Sequence, residues 1–333
     1  MAKELRIGLI GCGSQGRTLS TVLGRIDGCK LIAVADVNET IAKQFAEEFK
    51  VENYYRDHYE LLEKGDVDAV LVAVPHFALK NVSIDCLEAG KPTFVEKPMA
   101  KNSIEAKELV KAVERSGATL MVGYCQRFLA SRSLMKSFLD KGIVGEVSLV
   151  LAMKGTGLLR GWLLEEPKGG GILRYLGVHL IDQVLWMIGS RPEEVLAEVN
   201  VHPTFGVDET VSFIIRFKNS VLASLSLTMR ASKSIDSVEV IGSDGHMKSE
   251  WRDNYLLVHS SKMIEYANPT TIRFMEDPTY PMFERELREF IASVIENRMP
   301  SINVLDGLRV LEVVDAVLES AQLKRAVKIP HYS

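Results

Sequence analysis

The chain has 333 residues, 47% hydrophobic and 25% charged, with 40 basic against 44 acidic side chains and a net charge of −4. That length allows two domains with separate cores, and the interspersed charge excludes the basic blocks that grip nucleic acid or anionic membrane. The four cysteines, Cys12, Cys29, Cys86 and Cys125, lack Cys-x-x-Cys spacing, so the reading is a reduced, cytoplasmic protein without a metal site.

The start, Met1-Ala2-Lys3-Glu4 with a short apolar run from Ile7 to Ile10, is too short and wrongly flanked for a signal peptide, and no later run reaches membrane-spanning length. Arg6 to Ile10 reads as a buried strand, followed by a glycine turn and a helix over Arg17 to Leu23. A second strand, Leu31 to Ala35, precedes a helix over Thr40 to Phe49. Val67 to Val74 is nearly all apolar, as a strand covered on both faces must be. A helix over Lys80 to Ala89 ends at Gly90, and Thr93 to Val95 is a further strand. Asn102 caps the next helix with Glu105 three positions on, Gly117 supplies a left-handed stop, and Thr119 to Val122 closes the series. This alternation predicts a doubly wound parallel α/β sheet, a Rossmann domain over residues 1–122.

From residue 123 to 333 the rhythm changes. Leu222 to Met229 alternates strictly, with Ser224, Ser226 and Thr228 opposite Leu225, Leu227 and Met229, while Asn219-Ser220 and Asp244-Gly245 suit hairpin turns. A long helix near Leu305 to Leu323 carries Leu308, Leu311, Val314 and Leu318 at core spacing. The expectation is a second α/β domain with a large, mostly antiparallel open sheet, and a cleft between the domains.

Gly11-Cys12-Gly13-Ser14-Gln15-Gly16 sits between strand and helix. The first glycine permits the tight turn, the second lets backbone approach a pyrophosphate, the third lets helix pack on strand, and the helix N-terminus favours the anion. Asp36, twenty positions past Gly16, can accept hydrogen bonds from the adenosine ribose and would repel a 2′-phosphate. Val37 and Asn38 bring no arginine, which favours NAD over NADP.

Val95-Glu96-Lys97-Pro98 puts a lysine at the carboxyl end of a parallel strand, facing the crevice where ligands bind in open sheets. A solvated surface lysine fits the same pattern. Val74-Pro75-His76 ends the preceding strand, so His76 either lines the cofactor or is a polar loop residue. Gly169-Gly170-Gly171 opens a segment that, read as a helix, puts Leu173, Leu176, Leu180, Val184 and Met187 on one stripe and Tyr175, His179, Asp182 and Trp186 on another. An imidazole between a phenol and a carboxylate suits general acid–base work. A histidine satisfied in the core beside Asp182 is the other reading.

With these residues in view, the chain resembles the Gfo/Idh/MocA family of dinucleotide-dependent oxidoreductases along nearly its whole length. The resemblance rests on the glycine turn, Glu96-Lys97-Pro98, Val122-Gly123-Tyr124-Cys125-Gln126-Arg127-Phe128 and the triple-glycine helix with His179 and Asp182. It implies a Rossmann domain, then an open-sheet domain for substrate binding and homodimer or homotetramer contacts. It also implies hydride transfer between NAD and a hydroxyl or keto carbon of a sugar, inositol or nucleotide sugar. By position, Lys97 matches the lysine that binds the reacting oxygen and His179 the acid–base residue. Trp162 matches a region near nicotinamide or substrate, and Arg127 and Asp182 line the substrate pocket. The loops Gly155 to Pro167 and Asn268 to Tyr280 would shape that pocket. Tyr175 stands where the family carries an aspartate, and Cys125 where it often has asparagine, so Tyr175 is assigned to the proton relay or to substrate contact. A non-catalytic NAD-binding sensor and an NAD-dependent glycoside hydrolase are the alternatives within this fold.

Overall fold

A computed structural model describes residues 4–277 and 279–332 of the chain. Met1 to Lys3, part of the opening segment read above, and Pro278, inside the loop Asn268 to Tyr280, lie outside the described residues. Packing divides the chain into two units, one of Met1–Tyr124 with Phe283–Leu308 and one of Cys125–Met282 with Arg309–Ser333.

The first unit holds strands β1 (Leu5–Ile10), β2 (Cys29–Ala35), β3 (Asn53–Tyr55), β4 (Ala69–Val72), β5 (Thr93–Glu96) and β6 (Leu120–Gly123). Among the described residues they form one parallel sheet in the order β3-β2-β1-β4-β5-β6. All residues of β4, β5 and β6 are buried, which is why these segments are mostly apolar, with Thr93 and Glu96 of β5 the buried polar side chains. The order reverses between β1 and β4, and a ligand crevice opens beyond the carboxyl ends of strands at such a switch point.

Helices α1 (Ser14–Leu23), α2 (Glu39–Phe49), α3 (His58–Lys64), α4 (His76–Glu88) and α5 (Ser103–Ser116) alternate with the strands. Asn102 caps α5 by accepting the Glu105 N–H, and Gly117 ends it at φ 67°, as the sequence predicts. Three local expectations change. The strand read as Val67 to Val74 spans only Ala69–Val72, and α4 begins at His76 because Pro75 is suited to a helix start. Short β3 and α3 were not foreseen, since three strand residues and a seven-residue helix are too brief for a periodic signal. The Phe283–Leu308 segment packs on this sheet. Phe290 meets Phe94 edge to face with ring centroids 5.8 Å apart, and the Val122 N–H donates to the Ile302 carbonyl at 3.1 Å.

The second unit holds β7 (Val147–Gly155), β8 (Pro192–Val201), β9 (Asp208–Phe217), β10 (Leu222–Thr228), β11 (Ile235–Gly242), β12 (Gly245–Glu250), β13 (Tyr255–Ser260), β14 (Thr270–Arg273) and β15 (Val327–Lys328). They form one sheet in the order β14-β13-β12-β11-β7-β10-β9-β8-β15, antiparallel except where β7 meets β10. On β10, Ala223, Leu225 and Leu227 point into the core while the serines and Thr228 take the other face. The Asn219-Ser220 turn joins β9 to β10 with Ser220 at φ 67°. The next hairpin turns one residue earlier than read, through Ser243-Asp244, because Gly242 pairs with Gly245.

Helix α6 (Ala130–Asp140) packs on β12 and β13, and α7 (Val178–Ile188) on β7 and β10. Two long helices follow, α8 (Tyr280–Ile295) and α9 (Val304–Leu323), in which Leu308, Leu311 and Val314 are buried and Leu318 is half-buried. Among the described residues no helix is long and apolar enough to cross a membrane.

Candidate active site

In the first unit the glycine turn leaves β1 and enters α1 with three glycines under three different constraints. Gly11 lies at φ 101°, where a side chain is strained, and a Cβ there would also strike the Ala73 carbonyl. A Cβ on Gly16 would collide with the Gly11 carbonyl, so helix and strand approach only because it is absent. Gly13 has nothing within 4 Å of an added Cβ, so its glycine answers to no packing need inside the protein. It caps α1 with no side-chain hydrogen bond, and the first turn carries no acidic residue. The positive end of the helix and an open approach therefore meet at Gly13-Ser14-Gln15.

Asp36, at the end of β2, is held in place. Its Oδ2 accepts the Cys12 N–H at 2.9 Å and its Oδ1 the Asn38 N–H at 2.9 Å. Asn38 in turn caps α2. The Cys12 thiol is buried and pushed up to about 12, first by burial and then by the Asp36 charge, so it stays protonated and inert. Cys12 thus offers the loop its backbone N–H. These features fit a dinucleotide: an anion cradle, and a fixed carboxylate at the ribose end.

Glu96 ends β5 and is buried. Gln15 Nε2 donates to its Oε1 at 2.7 Å and the Lys97 N–H to its Oε2 at 3.2 Å. Burial raises the Glu96 carboxyl above its ordinary range, opposed by the Lys97 charge and the Gln15 bond. A Cβ on Gly123 would press to 3.0 Å from the Phe94 ring and touch Glu96 at 3.4 Å, so β6 is bare where β5 packs closest. Lys97 follows directly, half-buried, joined to Pro98 by a cis peptide bond. Val74 and Pro75 link β4 to α4, and His76 is the first residue of α4 and buried. It is neither a strand end nor an open loop position.

In the second unit Gly169 sits at φ 79°, and the other two glycines of the triplet answer to crowding. A Cβ on Gly170 would lie 2.5 Å from the Leu163 carbonyl, and one on Gly171, at φ 104°, would strike the Asp208 carboxylate. Asp208 accepts the Leu173 N–H at 2.6 Å, and burial raises its carboxyl despite that bond. Leu173–Gly177 then form a π-helical turn that runs straight into α7. The expected pair of stripes is corrected here. The turn that carries Tyr175 is π-helical and not α-helical, so the 3.6-residue period assumed for both stripes does not hold through Leu173–Gly177. The helix is also buried nearly all round rather than along one face.

His179 is buried as the second residue of α7, and Tyr175 is half-buried. Asp182, 1% exposed, takes the Arg127 guanidinium through three contacts, Nε to Oδ2 at 2.9 Å, Nε to Oδ1 at 3.1 Å and Nη2 to Oδ1 at 2.5 Å. The Arg127 plane also lies 5.8 Å from the Trp186 ring. Arg127 and Asp182, read separately as pocket residues, are thus joined. Trp162 is half-buried in a short 3₁₀ turn, Gly161–Leu164.

Sequence reasoning passed over a buried polar cluster made by Gln126, Arg132, Lys154, Gln183 and Asp236. Parity would have found part of it, because Lys154 and Asp236 fall on the inward positions of β7 and β11 among Val150, Ala152, Val238 and Val240. Among the described residues no group of His, Cys, Asp and Glu is arranged to hold a metal ion.

A parallel sheet with a glycine cradle and a fixed carboxylate after its second strand, on one chain with an open mixed sheet, fits a dinucleotide-binding oxidoreductase class. Two family models match, "Oxidoreductase family, NAD-binding Rossmann fold" over residues 5–124 and "GFO/IDH/MocA C-terminal domain" over residues 133–248. The chain belongs to the Gfo/Idh/MocA family of NAD-binding oxidoreductases. It is 28% identical over 331 residues to a myo-inositol 2-dehydrogenase of Thermotoga maritima, covering 98% of each chain. It is 26% identical over 305 residues to a trans-1,2-dihydrobenzene-1,2-diol dehydrogenase of Xenopus laevis, covering 87% of this chain and 89% of that one. A levoglucosan dehydrogenase solved with NADH and L-sorbose superposes with a TM-score of 0.93 over 99% of this chain and 100% of that one. At 22% identity that likeness speaks for the fold.

Proposed function

We propose that the protein is an NAD-dependent dehydrogenase that oxidises a CH–OH group of a cyclic polyol or sugar. The observation that carries this reading is the Gly13 cradle and fixed Asp36 in a chain that also has Lys97 directly after β5. The backbone of Gly11, Cys12, Gly13, Ser14, Gln15 and Gly16 would bind the pyrophosphate, and Asp36 the adenosine ribose. Val74, Pro75, His76, Glu96, Lys97 and Trp162 are assigned to the nicotinamide side. Apart from Trp162, residues 1–122 carry this cofactor role, and residues 123–333 the substrate and oligomer roles.

The dinucleotide supplies the hydride acceptor. His179 accepts the proton of the substrate hydroxyl as the carbon gives up its hydride, leaving a carbonyl. The Lys97 ammonium stabilises the charge that develops on that oxygen. Tyr175 stands where the family carries a carboxylate; as a neutral phenol it passes a hydrogen bond without offsetting the lysine charge. Arg127 and Asp182 shape the substrate pocket as a pair, because each is the other's charge partner.

We further assign the second sheet's outer face to homodimer or homotetramer contacts. Leu151, Ser224, Ile214 and Leu196 form one cross-strand row, and its three apolar members are 39%, 46% and 51% exposed for Leu151, Ile214 and Leu196. Four buried cysteines without Cys-x-x-Cys spacing suit a reducing compartment, and the cytoplasm is the proposed location.

The test is NADH formation at 340 nm from NAD and a panel of inositols, pyranoses and anhydrosugars. Turnover with at least one member is expected. Lys97→Ala should lower kcat by about a thousandfold while leaving the NAD Kd within about twofold. Tight NAD binding with no turnover on any panel member would favour a sensor, and sugar release without NADH a glycoside hydrolase.

A further inference from the structure

The helix that carries His179 starts with a π turn, and a wide turn is a register hazard. Were the extra residue to migrate along the helix past His179, that side chain would swing by about 100°. Something downstream of Leu173–Gly177 has to hold the helix in phase.

Two adjacent residues of the 3₁₀ turn Cys125–Phe128 grip two adjacent residues of α7. Arg127 holds Asp182, and Gln126 Oε1 accepts from Gln183 Nε2 at 2.5 Å. Gln183 Nε2 also donates to the His179 carbonyl at 3.0 Å. Grips on successive residues fix both the height of a helix and its rotation.

Gln126 is itself oriented by charge. Lys154 Nζ donates to its Oε1 at 2.7 Å, and its Nε2 donates to Asp236 Oδ2 at 2.8 Å. An ammonium only donates and a carboxylate only accepts, so the amide has one permitted orientation. Lys154 and Asp236 face each other directly across β7 and β11, with Nζ 2.6 Å from Oδ2, and Arg132 Nη2 reaches the other carboxylate oxygen at 3.0 Å. All of these side chains are at least nine-tenths buried. Burial would raise the Asp236 carboxyl, but Lys154 and Arg132 hold it low and ionised. Buried charge groups of this kind are poor sources of stability, because well-packed apolar residues do as well.

We propose that Lys154 and Asp236, acting through Gln126 and Gln183, are positioning residues that lock the phase of the helix bearing His179. The proposal rests on the dehydrogenase reading for its kinetic consequence, but not for its structural one.

The test replaces all three charges together, Arg132→Met, Lys154→Met and Asp236→Leu, so that none is left buried alone. Tm should stay within about 5 °C of the parent, and the NAD Kd within about twofold. Hydrogen exchange at the amides of residues 178–188 should quicken by about tenfold or more while β8 to β10 stay protected. With a turned-over panel substrate, kcat should fall by about a hundredfold and KM by less than about threefold either way. Unchanged exchange in residues 178–188 would overturn the proposal, as would exchange rising uniformly through the second unit with a collapsed Tm. If the parent protein turns over no panel substrate, the dehydrogenase reading fails, and the exchange arm alone decides the lock.

Discussion

Asp36→Ala tests the cofactor reading at the point where the geometry is tightest. The carboxylate accepts two backbone N–H groups, from Cys12 and from Asn38, each at 2.9 Å. Bonds to charged acceptors contribute about 1.5–3 kcal/mol each when nothing replaces them. Asn38 is exposed and water takes over there, whereas Cys12 is 2% exposed and its N–H is left poorly served. The unliganded protein should therefore lose about 1.5–2 kcal/mol, a Tm fall of roughly 2–3 °C for a chain of this size. Binding loses more, because the ribose forfeits its charged acceptor and the loop its preset shape. About 2–3 kcal/mol of binding energy corresponds to a rise of about 30- to 160-fold in the NAD Kd. NADP should lose much less, since the carboxylate that repels its 2′-phosphate has gone. Calorimetric titration with both dinucleotides, beside a thermal melt, measures all three quantities. An NAD Kd within about twofold of the parent, with the expected loss of Tm, would refute the ribose assignment and leave Asp36 a purely structural anchor.

The glycines separate folding from binding. Gly13→Ala should melt within about 2 °C of the parent, since its Cβ meets nothing, yet weaken NAD by about tenfold or more; Gly16→Ala should cost about 3 kcal/mol of stability, because its Cβ meets a backbone carbonyl. Chemical denaturation and NAD titration of the two variants check both halves. Glu96 is expected to make stability depend on pH. Its folded pKa is raised above the ordinary 4.5, so the folded state holds a proton the unfolded state has lost, and stability falls as pH rises from 4.5 through the raised value. Glu96→Gln removes that slope while keeping an acceptor for Gln15, so the Tm difference between variant and parent should move in the variant's favour as pH rises from 4.5 through the raised value. A constant difference across that range would contradict the buried, proton-holding carboxyl.

Much of the first unit was legible because its central strands β4 and β6 are buried on both faces and so appear as short apolar runs. Caps were legible too: Asn102 and Gly117 act through their own backbone neighbours, within a few residues. The glycine cradle was readable for the same reason, with local backbone geometry written in local residue types. What escaped the sequence is non-local or phase-dependent. Arg127 and Asp182 are 55 positions apart, and Gln126 and Asp236 110 apart, so nothing in either neighbourhood announces the partner. The π turn at Leu173–Gly177 is invisible to a 3.6-residue pattern, which assumes the phase that the turn breaks. The packing of Phe283–Leu308 on the first sheet is likewise a tertiary choice, since an amphipathic helix fits many apolar surfaces.

The central claim is hydride transfer to NAD from a polyol carbon with Lys97 stabilising the oxygen. The most direct measurement uses the panel substrate that turns over, deuterated at the carbon to be oxidised, and follows the label by mass spectrometry and proton NMR of the product NADH. One deuterium per NADH, at C4 of the nicotinamide and on a single face, is the expected result, with the rate collapsing in Lys97→Ala at unchanged NAD affinity. NADH without label, or full label transfer at the parent rate in Lys97→Ala, would contradict it.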